Sequence, residues 1–127
     1  MKLWIDDVRP APEGYVWCRS VNETIACILE QENIACEYYA KAVRALNSGN
    51  ETGFFEQIDL GNEYICSLVD IDHDAGDYAS DGGDYIKLLD WLEETGRNYP
   101  IRIHSANAVG VENMRRIIER NGWKEIH

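Results

Sequence analysis

Short apolar runs alternate with amphipathic stripes along the chain. Residues 2–5 form the first run, which predicts a strand ending in Asp6-Asp7. Val8-Arg9-Pro10-Ala11-Pro12-Glu13-Gly14 holds two prolines and a glycine and predicts a loop. Tyr15-Val16-Trp17-Cys18 is rich in β-formers and predicts a second strand. Ser20 and Glu23 have capping-box spacing, and Val21, Ile25, Ile28 and Leu29 behind them share one helical face. That helix is expected to run to about Glu32. Tyr38, Tyr39, Ala42, Val43 and Leu46 suit a second helix closed by Asn47-Ser48-Gly49-Asn50, and residues 54–58 suit a further turn or two. Tyr64, Ile65, Cys66, Leu68 and Val69 predict a central strand, and residues 78–83 a polar loop. Ile86, Leu89 and Leu92 mark a helix ended by Gly96, and Ile101–His104 reads as a strand. Val111, Met114, Ile117 and Ile118 mark a last helix with Gly122 just past its end, and Trp123 to Ile126 suit a short final strand. Strands alternating with amphipathic helices predict a parallel sheet flanked by helices, in a single domain over residues 1–127.

Charge narrows the function classes. The net charge is −11, so no extended nucleic-acid surface and no binding to an anionic membrane is expected. One phosphate held through a cation remains compatible with that balance. The four cysteines show no C-x-x-C pair, and reduced, mostly buried thiols are expected. No apolar run approaches the length that spans a membrane, and Asp6-Asp7 comes too early for a signal peptide. A cytoplasmic protein is the expectation.

The candidate chemistry lies at strand ends. The first strand ends in Asp6-Asp7, the central one in Asp72-His73-Asp74, and a later one in His104-Ser105-Ala106-Asn107. In a parallel sheet all three ends share one edge, where α/β proteins bind ligands. Carboxylates packed so closely repel unless a cation or shared protons hold them. Asp6, Asp7, Asp72 and Asp74 are therefore candidate ligands for Mg²⁺ or Mn²⁺, which accept carboxylate oxygens and bind substrate phosphate. Ser105 and Asn107 can hydrogen-bond phosphate oxygens, and Arg9 can add a bidentate clamp. His73 and His104 suit an acid/base pair, with Asp72 as the third catalytic candidate. Asp70 stands where an uncharged strand residue is expected.

Each residue also has a plain structural reading. Asp74 and Asp77 suit turns, Ser105 and Asn107 suit helix caps, and Arg9 can pair with Asp7. Asp70-x-Asp72-x-Asp74 has the start of a calcium loop. However, Ala75 and Asp81 stand where that loop needs Gly and Glu, and no helix enters it. Tyr38, Tyr39, Phe54 and Phe55 suit packing or a homodimer face.

Asp6-Asp7, Asp72 and Ser105-Ala106 at three strand ends resemble the receiver domain of response regulators. More narrowly, Trp4-Ile5-Asp6-Asp7-Val8-Arg9-Pro10-Ala11-Pro12-Glu13-Gly14, Asp72-His73-Asp74 and Ile103-His104-Ser105-Ala106-Asn107 resemble the divergent cyclic-phosphate-processing receiver domain family. The resemblance spans about residues 1–30 and 64–120. It implies a three-layer, receiver-like sheet of the flavodoxin-like kind, with the first helix replaced by the Pro-rich loop and an insertion near 33–63. It also implies that the acidic pair holds a divalent cation, that Asp72 accepts or contacts a phosphoryl group, and that Ser105 contacts that group. Receivers carry a lysine after the last strand; Lys124 comes too early for it, and His127 lies near that place. Three functions follow as expectations. The first is a metal-dependent enzyme acting on a phosphate ester, a cyclic one included. The second is a phosphoacceptor receiver in signal transduction, taking phosphate from a phosphodonor at Asp72. The third is a degenerate receiver that binds a protein partner.

Overall fold

The structure is a computed structural model that describes residues 1–127. Four strands form one all-parallel sheet: β1 (Lys2–Ile5), β2 (Tyr15–Cys18), β3 (Leu68–Ile71) and β4 (Ile101–Ile103), in the order β2-β1-β3-β4. A single bridge from Ile101 to Glu125 continues that order at the place expected for a last strand. Four α-helices connect and follow the strands: α1 (Val21–Asn47), α2 (Glu51–Asn62), α3 (Ile86–Glu94) and α4 (Ala108–Asn121). This is a receiver-like α/β fold. The strands β1 and β2 run parallel although residues 6–14 between them hold no helix. A parallel return normally needs a helical crossover, and the prolines of this loop exclude one.

The structure moves several expected boundaries. No break falls at Glu32: residues 31–37 hold neither Gly nor Pro, and α1 runs on through Tyr38 and Tyr39 to Asn47 as one helix. Residues 54–58 belong to a full helix, α2, whose start Asn50 caps by accepting the Gly53 N–H at 2.9 Å. The central strand begins at Leu68 rather than Tyr64, because pairing to Lys2–Ile5 of β1 sets its length. Gly76–Ser80 is a 3₁₀ turn inside the stretch read as loop.

The chain forms two compact units. One holds Met1 and Ala26–Cys66, and includes the stretch near 33–63 that reads as an insertion. Within it Tyr38 and Tyr64 stack at 5.7 Å, and the Tyr39 hydroxyl donates to Asn62 at 2.6 Å. The other unit, Lys2–Ile25 and Ser67–His127, holds the whole sheet, α3 and α4. No helix is long and apolar enough to cross a membrane.

Strand alternation divides the sheet into two faces. Leu3, Ile5, Val69, Ile71 and Ile101 share one face and are fully buried. Leu88, Leu89 and Leu92 of α3 and Met114, Ile117 and Ile118 of α4 are buried too, each contributing about 1.5–3 kcal/mol. The opposite face carries Trp4, Asp70 and Arg102, paired in one row across β1, β3 and β4.

Ser20 ties the start of α1 to the loop after β3. Its Oγ accepts the Glu23 N–H at 3.0 Å and donates to Asp81 at 2.6 Å. The Glu23 carboxylate reaches back to the Arg19 N–H at 3.0 Å, one residue before the Ser20 amide that a capping box would use. The Ser20 hydroxyl, then the Asn22 amide, hold the Asp81 carboxyl below its ordinary value of 3.8 against a smaller effect of burial. A lowered pKa makes this contribution full above the unfolded value and lost as pH falls through the lower folded value. Ser20→Ala is expected to cost about 1 kcal/mol at neutral pH. In urea titrations from pH 7 to pH 3 the variant should also lose less stability than the parent.

Candidate functional site

The carboxyl ends of β1, β3 and β4 meet where the strand order reverses, between β1 and β3. Ile5, Ile71 and Ile103 are in register, so the next residues, Asp6, Asp72 and His104, leave the sheet in one row. Asp6, Asp7 and Asp72 each bring a carboxylate oxygen within 4.8 Å of the others. Asp6 is fully buried, while Asp7 and Asp72 are half-buried.

Asp6 is held on every side. Its Oδ1 accepts from the amides of Val8 at 3.0 Å and Arg9 at 2.8 Å, and its Oδ2 faces Nε2 of His104 at 2.9 Å. Burial pushes its pKa up, but the Arg9 and Val8 amides and the His104 contact outweigh that and hold it below its ordinary value. The loop that carries Asp6 and Asp7 is pinned by two indoles. Trp4 donates to the Arg9 carbonyl and Trp17 to the Asp6 carbonyl, each at 2.8 Å. Asp7 lies against Gly76, whose φ of +55° suits glycine and where a methyl group would overlap the Asp7 carboxylate. Asp72 accepts the His73 N–H at 2.7 Å. The cluster acts on its surroundings: burial first, then Asp7, Asp6 and Asp72, push the Tyr85 phenol up, and its hydroxyl donates to the Arg19 carbonyl at 2.6 Å.

The two histidines differ. At His73, Nδ1 donates to Asp74 at 2.8 Å, leaving Nε2 outside that pair. Its ring lies on Gly110 at the start of α4. At His104 both nitrogens face carboxylates, Nδ1 toward Asp70 at 2.6 Å and Nε2 toward Asp6 at 2.9 Å. The Trp4 indole stacks on the same ring, with centroids 3.8 Å apart and planes 5° apart. An imidazolium satisfies such an arrangement as a double donor, and a neutral imidazole meets it at one end only.

The remaining sequence candidates sit around this centre. The Asp74 carboxylate turns to His73 and to the Asn107 amide at 3.4 Å, outside the group of three. Those contacts, His73 before Asn107, hold its pKa low against slight burial. Asn107 caps α4 through its Oδ1 to the Gly110 N–H at 2.9 Å. The Ser105 Oγ accepts the Asn107 N–H at 3.1 Å. Arg9 enters through its amide, and its side chain is exposed. The residue that sequence reasoning left without a role is Asp70. It is fully buried between Val69 and Ile71, and the signal was a carboxylate inside a buried strand.

The donor set can be tested against a divalent cation. Three carboxylates offer only oxygen, the atom that Mg²⁺ and Mn²⁺ prefer. Asp6 already accepts three hydrogen bonds, but a carboxylate has about four acceptor positions. The residues fit the ion.

Residues 1–120 match the family model described as the cyclic-phosphate processing receiver domain. No curated protein and no solved structure gives a match.

Proposed function

Since this chain belongs to the cyclic-phosphate processing receiver domain family, we propose that it is a divalent-metal-dependent phosphoesterase acting on a small phosphate ester, a cyclic phosphate among them. The observation that carries this reading is a cluster of three carboxylates whose member Asp72 is followed by His73, a histidine oriented by Asp74. Asp6, Asp7 and Asp72 would hold Mg²⁺ or Mn²⁺. When bound, the ion supplies charge neutralisation at the phosphoryl oxygens.

The chain's own groups then divide the work. Asp74 fixes the His73 ring through Nδ1 at 2.8 Å, so that Nε2 is the end that exchanges a proton with water or leaving oxygen. His104, with both nitrogens committed to carboxylates, holds Asp6 instead of shuttling protons. In this reading Ser105, Asn107 and the Arg9 guanidinium would supply hydrogen bonds to the phosphate oxygens. The test is turnover of small cyclic phosphates with Mn²⁺ present. His73→Gln should lower kcat roughly 10²–10⁴-fold while leaving Mn²⁺ affinity within about twofold. Equal turnover in the variant would remove His73 from the chemistry.

A second reading has its own observation. Asp72 lies half-buried at the end of β3 beside the acidic pair, with Ser105 following β4, which suits a phosphoacceptor. If this reading holds, incubation with a small phosphodonor and Mg²⁺ leaves on Asp72 an acyl phosphate that is released by alkali and by hydroxylamine, and Asp72→Asn takes up none.

A further inference from the structure

Asp70 is fully buried in the middle of β3, in a row with Trp4 and Arg102. One oxygen lies 2.6 Å from Nδ1 of His104. The other is buried without a hydrogen-bond partner, and its nearest cation, the Arg102 guanidinium, is 3.7 Å away. A buried charge so incompletely matched is costly to the fold. In a strand between two fully buried apolar residues, a β-branched side chain would pack more favourably. The carboxylate therefore needs an explanation beyond packing.

We propose that Asp70 is a positioning residue that acts on the site through His104. It fixes the imidazole so that Nε2 points at Oδ2 of Asp6. The stacked Trp4 ring prevents the imidazole from tilting. The result is a connected line, Asp70 to His104 to Asp6, running from the sheet interior to the carboxylate cluster. Asp6 is then pinned at both oxygens, by the Val8 and Arg9 amides on one and by His104 on the other. With Asp6 held in place, its one remaining acceptor position stays within the group it forms with Asp7 and Asp72. Hydrogen-bonded partners behind ligating carboxylates tune cation affinity in this manner. The assignment of ring orientation stands on geometry alone. Its consequence for affinity rests on the cation reading above.

The experiment separates the two. Histidine ¹⁵N–¹H correlation spectra should show a far-downfield, slowly exchanging Nδ1 proton on His104. Asp70→Val should abolish that signal, and Asp70→Asn, which keeps an acceptor in place, should restore it. Asp70→Ala gives the same reading if the valine variant does not fold. By calorimetry, Mn²⁺ affinity should fall about tenfold in Asp70→Val and less than about threefold in Asp70→Asn. Persistence of the His104 proton in Asp70→Val, or unchanged Mn²⁺ affinity with the proton lost, would overturn the proposal. If the parent protein binds no Mn²⁺, the cation reading falls, and the His104 signal still decides the role of Asp70.

Discussion

Asp72→Asn will abolish divalent-cation binding and at the same time stabilise the metal-free protein. Three carboxylates with oxygens within 4.8 Å repel one another when no cation is bound. Asp6 gains compensation from two amides and His104, whereas Asp72 accepts only the N–H of its chain neighbour His73. Neutralising Asp72 removes repulsion from both neighbours. For half-exposed charges at an effective dielectric of about 20, this is worth about 1–2 kcal/mol after screening, or roughly 3–8 °C in Tm. The same change removes one of the three proposed ligands, so Mg²⁺ affinity should fall at least ~100-fold, beyond the effect of losing an outer partner. Thermal melts with chelator and with millimolar Mg²⁺ measure both effects. The parent should gain stability on adding Mg²⁺, because a ligand that binds only the folded state stabilises it. The variant should melt at one temperature in both buffers. A variant that still gains from Mg²⁺ would show that Asp72 is no ligand.

Gly110→Ala will uncouple stability from activity in another way. Gly110 lies buried in the first turn of α4, with the His73 ring against it. Alanine is the better helix former by about 1 kcal/mol. Yet its methyl group would overlap the His73 ring near Cγ, at the base of the side chain, where no small rotation relieves the contact. The ring must leave its place, and with it the 2.8 Å bond to Asp74. The expected result is a Tm within a few degrees of the parent and kcat reduced roughly 10²-fold, since a misplaced acid/base group loses most of its effect. Turnover with a cyclic phosphate, alongside a melt, checks both. Undiminished kcat would mean that the His73 position is immaterial to the reaction.

Much of this protein could be read along the chain. The strands at Lys2–Ile5 and Tyr15–Cys18 were visible in their β-formers, because the local pattern and the flanking Asp and Pro residues act within a few positions. The cap at Asn107 and the left-handed Gly122 that ends α4 are equally local. Acidic and histidine residues at the ends of three strands were legible once the sheet was taken as parallel, and the family match spans those motifs. Where local signals were weak, the reading failed. Residues 31–37 favour neither a stop nor a start, and only the fold carries α1 through them.

Tertiary structure decided which of the clustered groups face one another. His104 meets Asp6 across 98 positions and Asp70 across 34, and no periodicity encodes such distances. The register of β1, β3 and β4 sets them, by placing Trp4, Asp70 and Arg102 in one row and Asp6, Asp72 and His104 two positions further on. The same register turned two similar histidines into different groups. His73 keeps one ring nitrogen outside its pair with Asp74, while His104 is held at both ends. Sequence determined which chemical groups reach this edge, because strand ends are local events. Their division of labour depended on hydrogen-bond geometry between distant strands, which exists only once the sheet has formed.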